Sequence, residues 1–170
     1  KEDMYFRNIS NILILSNQTA LEAMEQKAVE AGYKTLIESY KLQVDAKTVG
    51  KMLIDKTPTK TILLAGGETT LKVEGKGQGG RNQELVLNAL PTIPNDITIA
   101  SFDSDGWDNS PHAGAIADIT TLEKAKSLNL ILEEFLQNNN TFPFFQKVGD
   151  GIITNRLPSN VSDLMIVIKK

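Results

Sequence analysis

The sequence has no cysteine, a single histidine and a single tryptophan, and aromatic residues make up only 6% of its 170 positions. Without cysteine there is no thiolate nucleophile, no zinc–thiolate cluster and no disulfide, which suits a reducing compartment, here the cytoplasm. A basic excess is also missing: 18 lysines and arginines face 21 aspartates and glutamates, a net charge of −3. The attraction that draws proteins to nucleic acid is therefore absent, and no segment concentrates the lysines. Apolar runs such as residues 12–15 and 165–168 are far shorter than the roughly 20 residues of a membrane span. No basic stretch followed by an apolar one marks a secretory signal.

What is present is the patterning of one α/β domain, long enough to bury a core without staples. Residues 12–15 read as a buried strand. Thr19 and Glu22 have capping-box spacing ahead of a helix carrying Leu21, Met24, Ala28 and Ala31. Gly32 sits where a glycine ends such a helix, and residues 34–38 have strand character, so the chain opens as βαβ. Asp45 is placed to cap a second helix bearing Val49, Met52 and Leu53, with Lys56 near its end and Pro58 beyond. Residues 61–65 read as a buried strand, Gly66 and Gly67 as a turn, and residues 69–74 alternate as the second arm of a hairpin. Arg81 opens a helix with Leu85, Val86, Ala89 and Leu90, ended by Pro91 and Pro94. Residues 97–102 form another strand, Thr120 and Glu123 repeat the capping-box spacing, Leu132, Phe135 and Leu136 mark a helix, and residues 164–168 form a closing strand. The fold class expected is a mixed β-sheet with flanking helices.

Chemistry is densest between residues 66 and 84. Four glycines, Gly75, Gly77, Gly79 and Gly80, lie within six residues between a strand and a helix, and glycine lets backbone N–H groups face a ligand. The helix that follows carries partial positive charge at its start, where Arg81 adds a full charge in a planar fork. Phosphate or carboxylate fits there, and Gly66, Gly67, Glu68, Lys76 and Asn82 join the candidate binding residues. Glu68 either bonds a substrate hydroxyl or braces the loop beneath Arg81. A flexible connection with a solvated arginine is the plainer alternative. Gly75, Gly77 and Gly80 also match a dinucleotide fingerprint with Asp103 about 20 residues on, although the preceding strand looks like a hairpin arm rather than the start of a parallel unit.

Asp103, Asp105 and Asp108 follow a strand end, where open α/β sheets present ligand crevices. Like charges about 4 Å apart repel by roughly 4 kcal/mol at an effective dielectric near 20, so convergence would need a cation such as Mg²⁺. Otherwise the aspartates fan apart and cap local N–H groups. His112, the lone histidine, is either a general base or a structural residue in a loop.

These motifs resemble the C-terminal portion of the class II glycerate 2-kinase family, including its MOFRL domain. The similar residues are Gly-Gly-Glu-Thr-Thr at 66–70, Gly-Lys-Gly-Gln-Gly-Gly-Arg-Asn-Gln-Glu at 75–84, Ser16 with Asn17, and Ala-Leu-Glu-Ala at 20–23. Asp105, Gly106, Asp108, Gly149, Asp150, Asn160, Val161 and Asp163 continue the likeness. The resemblance implies ATP-dependent phosphorylation of D-glycerate to 2-phosphoglycerate, in a cleft between a larger N-terminal domain and this one. It assigns residues 1–58 to the family's mid-chain region and 59–170 to the MOFRL part, together one compact unit. It implies that Arg81 binds phosphate or stabilises charge on the transferring group, and that Asp105 (catalytic) and Asp108 handle metal or substrate hydroxyls, with Mg²⁺ accompanying ATP. A homodimer is possible within the resemblance. The chain starts at Lys1 without the family's N-terminal half, which implies a piece that is inactive alone.

The sequence departs from the family at residues 109–115, Asn-Ser-Pro-His-Ala-Gly-Ala, which lack one residue and an aspartate near His112. It departs again at 155–159, Asn-Arg-Leu-Pro-Ser, where substrate contacts are in question. Two rivals remain open: a hydroxypyruvate reductase-type NAD(P) oxidoreductase, and a non-catalytic module that binds small anions.

Overall fold

The computed structural model of the protein describes residues 7–170. Within them six helices accompany six strands that form a single sheet. Helix α1 (Asn17–Glu30) is followed by β1 (Lys34–Leu42), α2 (Ala46–Lys56), β2 (Thr61–Gly67) and α3 (Arg81–Ala89). A 3-10 turn (Leu90–Thr92) leads to β3 (Ile97–Asp103), β4 (Gly114–Ala117), α4 (Ile119–Ser127), α5 (Leu132–Gln137), α6 (Thr141–Val148), β5 (Gly151–Ile152) and β6 (Asp163–Lys169). The sheet order is β1-β2-β6-β3-β4-β5; β1 and β2 are parallel and every other pair is antiparallel. The mixed sheet with flanking helices expected from the patterning is what forms.

Strand β2 is buried along its whole length, because both faces of the sheet are covered there. Leu63 and Ala65 point into the main core with Val49, Leu53, Leu85, Val86 and Phe144. Ile62 and Leu64 point the other way, to a smaller cluster under α1 with Leu21, Ala28 and Leu164. This is the period-two alternation of a central strand. β6 repeats it, with Met165 and Val167 on the first face and Leu164, Ile166 and Ile168 on the second.

Several local expectations are corrected. Residues 12–15 are not a strand: Ile12, Leu13 and Ile14 are 81%, 80% and 88% exposed, and the segment lies outside the sheet. The parallel βαβ unit is instead β1–α2–β2, displaced one element along the chain. Helix α1 is capped by Ser16, whose hydroxyl accepts from the Thr19 N–H, and α4 by Asp118 in a capping box with Thr121. Both caps lie N-terminal to the residues that the spacing suggested.

The hairpin does not form either. Both edges of β2 are already taken, by β1 and β6. Gly67, at φ +148°, turns the chain across Leu42 so that the Glu68 N–H bonds Leu42 O and the Thr70 N–H bonds Val44 O. A Cβ at Gly67 would meet backbone atoms of Leu42, so this crossing requires glycine.

Candidate functional site

The site gathers where β2, β3 and β6 end or begin against the N-terminus of α3. Gly80 occupies the N-cap position and has no side chain to offer the orphan amides of α3. Asp108, from the loop after β3, supplies the missing acceptor. Its Oδ1 accepts from the Asn82 N–H at 3.1 Å, and its Oδ2 accepts from the Gln83 N–H at 2.9 Å and Gln83 Nε2 at 3.0 Å. A Cβ on Gly80 would lie 2.1 Å from Asp108 Oδ1, so the glycine makes room for the carboxylate. The anion expected at this helix start is therefore built in. Burial pushes the Asp108 carboxyl above its ordinary range, against hydrogen bonds from Gln83 and Asn82 that favour the charge.

Arg81, the first residue of α3, is held by Asp163 at the start of β6. Its Nε donates to Asp163 Oδ2 at 2.7 Å and its Nη2 to Oδ1 at 3.2 Å, a two-point grip on a carboxylate with no exposure. Asn82 Nδ2 donates to the same Oδ1 at 2.9 Å, and Ser101 Oγ fixes Asn82 Oδ1. Nη1 donates to Glu68 Oε1 at 3.0 Å, but the Glu68 side chain is 61% exposed. Exposed pairs contribute only about 0–1 kcal/mol, so another anion can displace Glu68 at small cost. Asp103 Oδ2 lies 3.8 Å from Nη2. Burial works against the guanidinium's charge, but Asp163 and then Glu68 outweigh it and hold the Arg81 pKa above normal. Burial raises the Asp163 and Asp103 carboxyls; Arg81 opposes this at both, and the charges of Asp163 and Asp105 add to it at Asp103.

A guanidinium has five N–H groups. Three are engaged among the described residues, leaving one on each Nη. Arg81 lines a cavity of about 500 Å³ together with Thr69, Gly79, Gly80, Asp103 and Trp107. The ring of Trp107 is covered by the Arg156 guanidinium, 4.4 Å from its centroid.

The other expected residues are placed as follows. Gly79, Gly80, Arg81 and Asp108 line the cavity, whereas Gly66, Gly67, Glu68, Lys76, Gly77, Asn82 and Asp105 do not. Gly66 leaves room for the Asn17 side chain, which donates to Val161 O and Asp163 O. The glycine loop serves packing as much as access: Cβ atoms at Gly75 and Gly77 would strike Asn138. The Gly77 N–H bonds Asn138 O, the Glu74 and Gly75 N–H groups bond Asn139 Oδ1, and the Gln78 N–H bonds Asn140 Oδ1. Those amides are spent on the turn between α5 and α6 rather than turned toward a ligand.

The acidic loop fans apart. Asp105 Oδ1 accepts from the Trp107 N–H, Asp103 Oδ1 from the Asp105 N–H, and Asp108 faces α3. Among the described residues no three acidic, histidine or cysteine side chains converge on a possible metal position. With the Asp108 oxygens committed to α3, the donor set at Asp105 and Asp108 does not fit Mg²⁺, which needs several free oxygens in octahedral array. His112 is buried, packs edge-on to Phe142 at 4.7 Å, and sits so close to Gly151 that a Cβ there would strike the ring. Burial lowers its pKa. This is a structural histidine.

Asp163 carries the least local signal of the site residues. Only its place in the Asn160, Val161, Asp163 pattern marked it, and no local signal tied it to Arg81.

The MOFRL family model matches residues 61–163, which carry every element from β2 to the start of β6. The glycerate 2-kinase of Pyrococcus horikoshii is 34% identical over 99% of this chain and 41% of its own length. The D-glycerate 2-kinase of Thermotoga maritima is 30% identical over 94% of this chain and 42% of its own length. The crystal structure of a Thermotoga maritima glycerate kinase superposes with a TM-score of 0.90 at 30% identity, covering 96% of this chain and 42% of that one. The chain thus spans about two fifths of the length of the curated relatives it matches. No helix among the described residues is long and apolar enough to cross a membrane. With the family pattern extending from the Gly66 turn through Arg81 to Asp163, the chain belongs to the MOFRL family.

Proposed function

We propose that the chain is the C-terminal part of an ATP-dependent glycerate 2-kinase that phosphorylates D-glycerate to 2-phosphoglycerate. The observation that carries this reading is the Arg81 guanidinium: it is anchored by buried Asp163, lines a polar cavity, and keeps two N–H groups for an anion. The glycerate 2-kinases among its relatives supply the substrate class. Phosphoryl transfer asks a protein mainly for positioning and charge stabilisation. A guanidinium held rigid from behind by Asp163, with exposed Glu68 and part-buried Asp103 in front, meets the positioning demand by fixing an anionic group of the substrate.

ATP supplies the transferred group when bound. Gly79, Gly80 and Arg81 suit an anionic group, while the amides of Gly75 and Gly77 are turned elsewhere. Mg²⁺ belongs to this reading only as the companion of nucleotide phosphates. The additional length of the relatives would form the opposite wall of the cleft. Residues 1–58 and 59–170 would act together on this side, in the cytoplasm, and the chain alone would be inactive.

The test is to incubate the complete polypeptide carrying this chain with D-glycerate and either ATP or NAD. Consumption of ATP with formation of 2-phosphoglycerate supports the kinase. Consumption of NAD would overturn it in favour of the reductase, whose dinucleotide loop is contradicted by the packing of Gly75 and Gly77 on Asn138. Calorimetry of the chain alone with ATP, glycerate and 2-phosphoglycerate should show weak or no binding, since half a cleft lacks the other half's contacts. Tight binding would favour the anion-binding module.

A further inference from the structure

We propose that Asp103 is the catalytic carboxylate of this site: it receives the hydrogen bond, and then the proton, of the hydroxyl that attacks the terminal phosphoryl group of the nucleotide. The inference rests on the glycerate-kinase reading and names a residue that neither the motifs nor the family likeness singled out for this role.

Of the acidic side chains around the cavity, only Asp103 and Asp108 line it. Asp108 is excluded, since both its oxygens accept from Asn82 and Gln83 at the start of α3. Asp105 is excluded by direction: it caps its own turn through the Trp107 N–H and does not line the cavity. Asp163 is sealed behind Arg81. Asp103 differs from all three. Its Oδ1 is fixed by the Asp105 N–H, while its Oδ2 has no hydrogen bond among the described residues and lies 3.8 Å from Arg81 Nη2. The side chain is 14% exposed, enough to be reached and little enough to be held.

The pairing of this oxygen with Arg81 matches an α-hydroxy acid. In glycerate the 2-hydroxyl sits on the carbon that bears the carboxylate. A carboxylate on the free N–H groups of Arg81 therefore brings that hydroxyl to the neighbouring Asp103 Oδ2. As the hydroxyl oxygen bonds to phosphorus, its proton passes to Oδ2. The bond from phosphorus to the bridging oxygen breaks, and its electron pair leaves with the nucleoside diphosphate. The same geometry selects the 2-hydroxyl over the 3-hydroxyl, which lies one carbon further from the anchored group.

The test uses the complete polypeptide with ATP and D-glycerate, comparing D103N with the parent. Asparagine keeps the acceptor for the Asp105 N–H but loses the base. The expected result for D103N is a kcat lower by roughly 10² to 10⁴-fold, the usual worth of a general base. Its affinity for 2-phosphoglycerate should be equal or tighter, because one negative charge has left the cavity. A merely structural Asp103 would lose turnover and product affinity together, and that outcome overturns the proposal. So does a D103N kcat within about threefold of the parent. If D103N does not fold, D103S, whose hydroxyl can accept from the same N–H, is read by the same criteria. A parent that consumes no ATP with glycerate sinks the kinase reading and this proposal with it, whereas an active parent with an active D103N sinks the proposal alone.

Discussion

Replacing Asp108 with alanine gives the sharpest test of how the site is held. The carboxylate accepts from the backbone N–H groups of Asn82 and Gln83, and D108A leaves both without an acceptor. The two side-chain amides fare better. Asn82 Nδ2 keeps Asp163 Oδ1, and Gln83 Nε2 keeps Ser110 Oγ and the carbonyl of residue 108. The loss is thus concentrated in two buried backbone donors, each costing about 1–3 kcal/mol when unpaired. Part of this returns because a carboxylate whose burial opposes its charge is no longer buried. Solvent from the adjoining cavity can reach the vacated space as well. We expect a net loss of roughly 2–4 kcal/mol, beginning at the top of the roughly 0.5–2 kcal/mol range for a lost helix cap because two buried donors are orphaned. For a chain of this size that is a fall in Tm of roughly 4–16 °C.

Urea unfolding at pH 7, followed by far-ultraviolet circular dichroism, measures it. Millimolar Mg²⁺ should leave the unfolding midpoint of the parent chain unchanged. A D108A loss below about 1 kcal/mol would refute the capping role. A midpoint that rises with Mg²⁺ in the parent but not in D108A would restore Asp108 as a metal ligand.

Three further outcomes are expected. In the complete polypeptide, R81A should lower turnover by roughly 10²-fold or more, and R81K should not restore it, because an ammonium cannot reproduce the two-point grip on Asp163; steady-state kinetics near the parent's would remove Arg81 from the chemistry. G77A should lose about 1–3 kcal/mol by overpacking, since its Cβ would lie 2.5 Å from Asn138 O; unchanged stability in urea would show that the loop is not packed on that turn. H112Q should flatten part of the acid side of the stability profile. The unfolded imidazole takes up its proton near 6.5 and the folded one only at lower pH, so stability falls as pH drops through that window. The raised carboxyls of Asp103, Asp108 and Asp163 act in the opposite sense, gaining stability on acidification, but both proteins share them. Melting curves of parent and H112Q from pH 7.5 to 5.5 isolate the histidine, and identical slopes would refute its role.

Features legible in the sequence were those set by local chemistry. Short apolar runs marked β2, β3 and β6, because a strand buried on both faces needs little else. Gly32, at φ +85°, ends α1 as its position suggested, and Asp45 caps α2 through the Lys47 N–H. Arg81 stood out as a charged fork at a helix start, and the structure places it in the cavity. Local pattern failed where the outcome depended on what lay opposite. Residues 12–15 are as apolar as a core strand, yet Ile12, Leu13 and Ile14 are 80% exposed or more. The alternation of residues 69–74 is that of a hairpin arm, but the edge it needed belongs to β6.

By itself the sequence determined the class of the fold and the absence of thiol and disulfide chemistry, and it marked Arg81 at a helix start, because composition, periodicity and glycine spacing act over a few residues. The tertiary structure decided which carboxylate does what. Asp108 lies 26 residues from the amide it caps, and Asp163 lies 82 residues from the guanidinium it anchors. Such pairings arise only when the sheet brings the ends of β2, β3 and β6 to the start of α3. A carboxylate's role there depends on which of its oxygens remain unbonded, and that is a property of the packed site.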